Sequence, residues 1–256
     1  MALEIYQYPY GPGANYGVLL HDPSSGATAS VDAGDAAALR TALKKTGWTL
    51  SEIWITHHHA DHTDGVAEIK AETGCTVIGP KPQSAPIAGV DTRYGDGERF
   101  DFSGHEVRVI HTPGHTIDMI NFHLPAEGVA FTGDTLFVMG CGRLFEGDGP
   151  MMHASLQKLA ALPADTVIYC SHEYTEANAD FALTVDPENP DLKDKAARVK
   201  ALRAQDKPTV PTTLAEELAT NPFLRAHDTR IRAHLGLETA SDAEVFTEIR
   251  RRKDNS

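Results

Sequence analysis

Cysteine is scarce in this chain: three residues, Cys75, Cys141 and Cys170, in 256. An odd number so widely spaced excludes a disulfide framework and fits a reducing compartment. Long hydrophobic runs are also missing. Residues 1–10 lack a basic, apolar leader, and no later window approaches the roughly 20 apolar residues that span a bilayer, so a cytoplasmic protein without membrane contact is expected. Positive charge is in deficit, with 23 Lys+Arg against 36 Asp+Glu for a formal charge of −13. Such a balance disfavours the polyanion grip on which nucleic-acid binding depends. There is no G-x-S-x-G element, and Cys170 falls in an apolar strand-like run, so a covalent nucleophile is not indicated. Internal repeats and low-complexity segments are lacking too.

Histidine is abundant, with 13 residues. The first two thirds of the chain read as short apolar strands punctuated by Gly, Pro and Asp. Candidate strands cover residues 5–8, 16–20, 28–31, 53–55, 76–78, 107–110, 120–123, 129–132 and 167–170. Candidate helices cover 36–45, 65–73 and 152–161, closed by Gly47, Gly74 and Pro163. The mixture of hairpins and crossovers indicates an α/β sandwich. Beyond residue 174 the pattern turns helical. Thr213 with Glu216 and Ser241 with Glu244 have capping-box spacing, and Pro190 suits the first turn of a helix reaching about residue 204. The expected division is a catalytic domain over 1–173 and a smaller helical domain over 174–256. Nothing demands more than a monomer.

The segment Thr56-His57-His58-His59-Ala60-Asp61-His62 follows the apolar run Ile53-Trp54-Ile55, at the strand-to-loop junction where sites are commonly built. Its order, H-x-H-x-D-H, places four metal donors within six residues. Three other strands end in donors: residues 107–110 lead to His111-Thr112-Pro113-Gly114-His115, 129–131 to Thr132-Gly133-Asp134, and 167–170 to Ser171-His172. Singly each is weak, because a lone His after a strand is more often a hydrogen-bonded structural residue. Together, His57, His59, Asp61, His62, His115, Asp134 and His172 exceed the three or four protein ligands of one ion and point to two. Asp134 is the natural bridge, since a carboxylate has two oxygens.

These motifs resemble the metallo-β-lactamase superfamily, and more narrowly glyoxalase II, the hydroxyacylglutathione hydrolase family. The narrower resemblance rests on Gly140-Cys141-Gly142-Arg143, His172-Glu173-Tyr174-Thr175, Asn221-Pro222-Phe223-Leu224-Arg225 and the terminal Arg250 with Lys253-Asp254. It implies an αββα sandwich with a smaller all-helical C-terminal domain. It assigns His57, His59 and His115 to one metal, Asp61, His62 and His172 to a second, and Asp134 to both. Arg143, Phe145, Tyr174, Arg250 and Lys253 match glutathione-binding positions. The basic knot of residues 250–253, on its own a solvated helix end, thereby gains a partner, a small glutathione thioester. Arg143, Phe145 and Asp64 stand where the family commonly has Lys, Tyr and Gly.

The activity implied is hydrolysis of S-D-lactoylglutathione to glutathione and D-lactate, the second step of methylglyoxal detoxification, with Asp61 and Asp134 as catalytic ligands. Paired ions bring the pKa of a water between them to about 7, which supplies a nucleophile the chain itself lacks. Zinc suits the donor set, and iron or manganese would also fit. Rival readings are a mono-iron sulfur oxygenase of persulfide dioxygenase type, another hydrolase of the superfamily such as an RNA-processing nuclease, and a non-catalytic metal buffer. The first lacks part of the second metal set, and the nuclease would need a basic groove.

Overall fold

The structure, a computed structural model, describes residues 2–11 and 14–256. It divides into two units, Met1–His111 with Thr116–Gly133, and Thr112–His115 with Asp134–Ser256.

In the first unit a six-stranded sheet runs in chain order through β1 (Glu4–Tyr10), β2 (Asn15–His21), β3 (Thr28–Val31), β4 (Glu52–Trp54), β5 (Thr76–Pro80) and β6 (Thr92–Tyr94). The first three strands are antiparallel, and β3 to β6 are parallel. Parallel neighbours need crossovers, and these are helix α1 (Ala36–Thr46) between β3 and β4, then α2 (Ala60–Thr63) and α3 (Val66–Thr73) between β4 and β5. Asp35 caps α1 by accepting from the Ala38 amide, and Gly47 closes it in the left-handed region at φ 76°. An antiparallel meander supplies the opposing strands, β7 (Arg99–Phe102), β8 (His105–His111), β9 (Ile120–Leu124) and β10 (Val129–Gly133).

Alternation along residues 53–55 separates the layers. Ile53 and Ile55 join Leu39, Ala42, Val66 and Ile69 in a core beneath the helices. Trp54 points the other way, its ring centroid 5.2 Å from both Phe100 and Phe102 and 5.5 Å from Phe122. One strand thus pins helix to sheet and sheet to sheet, and truncating its fully buried Trp54 would cost on the order of 3 to 5 kcal/mol.

The second unit carries a two-stranded ribbon, β11 (Leu136–Phe137) with β12 (Gly140–Cys141), and the strand β13 (Val167–Cys170) paired to β14 (Thr212–Thr213). Its helices are α4 (Gly149–Ala160), α5 (Thr175–Val185), α6 (Pro190–Arg203), α7 (Leu214–Thr220), α8 (Thr229–Leu235) and α9 (Asp242–Asp254). Beyond residue 174 only β14 interrupts the helices. Helix α4 starts three residues before the expected Met152, because Asp148 caps it and Pro150 occupies its first turn. Ser241 and Glu244 form the full capping box. Thr213 accepts from the Glu216 amide without the reciprocal bond, so the second expected box is half made. The expected helix from residue 65 is preceded by α2, which places Asp61 and His62 on a helical turn of their own.

No helix among the described residues is long and apolar enough to cross a membrane.

Candidate active site

The first unit presents four of the expected donors where β4 runs out. His57 and His62 are buried, His59 is half-buried and Asp61 is exposed. His57 Nε2 lies 3.0 Å from His59 Nδ1, and His62 Nε2 lies 3.7 Å from an Asp61 carboxylate oxygen. Imidazole nitrogens this close can share either a proton or a cation.

A residue that sequence reading passed over holds this cluster. Asp32, buried, with φ 58°, accepts from the Thr56 amide at 2.8 Å, the Thr56 hydroxyl at 2.9 Å and His62 Nδ1 at 2.7 Å. A carboxylate only accepts, so the His62 proton sits on Nδ1 and the lone pair is left on Nε2, as metal-binding imidazoles require. The Asp61 backbone is fixed as firmly. Its carbonyl accepts from the Tyr10 hydroxyl at 2.7 Å, and a Cβ on Gly34 would lie 1.7 Å from that oxygen. Glycine at position 34 is therefore a packing requirement. His58, the third histidine of the run, turns to the buried Asp118, 3.0 Å from Nδ1.

The second unit presents the other three donors. His172 Nε2 lies 3.2 Å from the Asp134 carboxylate, and His115 Nε2 lies 3.4 Å from it. His115 Nδ1 donates to the Arg143 carbonyl at 2.8 Å, which again reserves Nε2. The loop between them needs its glycine, because a Cβ on Gly142 would sit 2.0 Å from the Asp134 carbonyl oxygen and 3.0 Å from His115 Nδ1. Four of the seven expected ligands, His57, His59, Asp61 and His62, thus belong to the first unit, and three, His115, Asp134 and His172, to the second. His111, by contrast, is structural, its Nε2 donating to the Ile117 carbonyl at 2.8 Å.

The five residues expected to meet substrate all lie in the second unit. Phe145 is 60% exposed and Tyr174 42%, the two large hydrophobic side chains left open among the described residues. Tyr174 stacks on His172 with centroids 4.7 Å apart and planes 9° from parallel. Arg143 lies over the Phe145 ring at 5.9 Å. Lys253 extends over Phe181 and donates to the Ala177 carbonyl at 3.0 Å. Burial, and then the nearby Arg250, pull the Lys253 ammonium below its ordinary pKa. The terminal basic knot is not uniformly a solvated helix end. Arg250 is buried, with Nη1 donating to the Cys141 carbonyl at 3.0 Å and Nη2 to Asp254 at 2.7 Å, whereas Arg251 and Arg252 pair with Glu248 at the surface.

None of the three cysteines is a nucleophile in waiting. All are buried and free, and burial pushes the Cys141 thiol up to about 11 and the Cys170 thiol to about 12.

Strands that each run out into a His- or Asp-bearing turn define a class. The model of the metallo-beta-lactamase superfamily matches residues 15–172. Solved structures agree on the fold: an ETHE1 protein from Myxococcus xanthus has a TM-score of 0.69 at 22% identity, over 97% of this chain and 90% of that one. A metallo-beta-lactamase from Staphylococcus aureus has a TM-score of 0.67 at 19% identity, over 98% and 71%. The particular family is fixed by the remainder of the chain, where the model of the hydroxyacylglutathione hydrolase C-terminus matches residues 173–256. A hydroxyacylglutathione hydrolase of Mesorhizobium japonicum is 54% identical over all of both chains, and one of Brucella anthropi is 56% identical over 94% of this chain and 92% of its own. The chain belongs to the hydroxyacylglutathione hydrolase family.

Proposed function

We propose that the chain is a thioester hydrolase that cleaves S-D-lactoylglutathione to glutathione and D-lactate, using two divalent ions, zinc in the first instance. His57, His59 and His115 would hold one ion, Asp61, His62 and His172 the other, and Asp134 both. The observation that carries this reading is tautomer control: Asp32 on His62 and the Arg143 carbonyl on His115 each take the Nδ1 proton and reserve Nε2. Bound there, the ions would supply Lewis acidity and a water ionised near neutral pH.

The chain's own residues would then have four tasks. Asp61, exposed beside His62, accepts a hydrogen bond from the attacking water and orients it. Asp134 sets the spacing of the donors around it. Tyr174 and Phe145 offer apolar faces to the substrate's thioester arm, and Arg143, Arg250 and Lys253 meet its carboxylates. Arg250 has Nη1 and Nη2 engaged, while its buried Nε has no partner among the described residues. No general acid is called for, since a thiolate leaves readily. The mono-iron alternative gains no support, because all of Asp61, His62 and His172 are present.

Residues 1–173 are read as the catalytic domain and 174–256 as the substrate-binding domain of a cytoplasmic monomer. The test is loss of the thioester absorbance of S-D-lactoylglutathione. Turnover that vanishes on chelation and returns with zinc supports the reading. A folded, fully metallated sample that leaves the thioester intact refutes it.

A further inference from the structure

The turn joining β11 to β12 makes an unusual demand on the helices around it. Met139 sits at φ 53°, a conformation that costs a non-glycine residue of order 1 kcal/mol or more. Its amide donates at 2.7 Å to Glu217, a fully buried carboxylate on α7. The Asn221 side-chain amide donates to the Phe137 carbonyl at 3.2 Å, the Gly140 carbonyl at 2.9 Å and the same Glu217 oxygen at 3.0 Å. Asn178 on α5 donates to the Val138 carbonyl at 3.1 Å and packs where a Cβ on Gly140 would be, 2.4 Å from its Nδ2. Buried Lys195 neutralises Glu217 at 2.6 Å, and Thr212 completes the set at 3.0 Å. A buried carboxylate with a buried ammonium is a costly way to hold a turn unless the turn's position matters.

What the turn positions is on both flanks. Phe137 sets its ring edge against His172 and Tyr174, 5.6 Å from each at 83° and 89°. Cys141, at the far end, offers its carbonyl to Arg250. We infer that Glu217, with Lys195 as its counter-ion, is a positioning residue for the substrate wall, acting through the Met139 amide to set Tyr174 and Arg250. The inference rests on the proposed thioesterase reading, but its first readout does not.

Amide exchange read by mass spectrometry on peptides covering residues 136–141 should accelerate in Glu217→Ala, whatever the substrate. With S-D-lactoylglutathione, wild-type turnover checks the reading. KM should then rise about tenfold in Glu217→Ala, with kcat per metallated site nearly unchanged, since a misfolded fraction lowers kcat alone. The pair Glu217→Gln with Lys195→Met keeps an acceptor for Met139 and removes both charges, and it should restore KM and slow exchange even if Glu217→Ala folds poorly. Wild-type turnover with an unchanged KM in Glu217→Ala, or a raised KM in the neutral pair, overturns the inference. Absence of wild-type turnover overturns the thioesterase reading and leaves the exchange result to stand or fall alone.

Discussion

A buried carboxylate is tolerated only when hydrogen bonds replace its water, and the three that Asp32 accepts also fix a tautomer. Asp32→Asn should therefore weaken metal binding about 10- to 100-fold, the range for outer partners of ligating histidines, and a competitive zinc titration would read it. An unaltered affinity would leave Asp32 a fold residue only. No sequence pattern marks it, because its partners lie 24 and 30 residues away and its φ is set by the tertiary fold. The ligands were legible, since H-x-H-x-D-H needs only local spacing. Lys253 illustrates a graded case, its charge visible in sequence and its depressed pKa not. An ammonium binds anions only below its own pKa, so KM for a glutathione thioester should climb with alkaline pH earlier than an ordinary lysine would cause. In Lys253→Ala that limb should be absent and KM raised throughout, by about tenfold for one lost charged hydrogen bond. An identical pH profile in the variant would sink the assignment.

Elements were legible where local pattern and burial agree. Residues 28–31 form a strand buried at every position, as an uninterrupted small and β-branched run suggests. The strands β6 and β7 were missed because Thr92–Tyr94 and Arg99–Phe102 are short and half polar, and pairing with neighbours decides them. The Asn221 bonds to the β11–β12 turn span 84 and 81 residues, beyond any periodicity. Helix contacts follow the same division. Gly149 opens α4 so close to α9 that a Cβ would lie 1.9 Å from Thr247 Oγ1. Gly149→Ala should destabilise by about 1 to 3 kcal/mol through overpacking, seen as a lower urea midpoint. Asp64, where the family commonly has Gly, tells the converse story, since at φ −58° it asks nothing of glycine.

At the scale of the molecule, two units each hold part of the donor set in a preset tautomer or pairing, so metal and fold are coupled. A ligand that binds only the native state at 100 times its Kd adds about 2.7 kcal/mol. Chelation should accordingly lower Tm, and zinc should restore it; a Tm indifferent to zinc would argue against occupancy by tightly bound ions. The burial of all three cysteines has a consequence of another kind. An enzyme that liberates a thiol at every turnover works in a local excess of a disulfide-exchange reagent. With Cys75, Cys141 and Cys170 enclosed as free thiols and held protonated, the chain holds no disulfide for that thiol to open and presents no thiolate to a disulfide formed from it, so neither direction of exchange leaves a mixed disulfide behind.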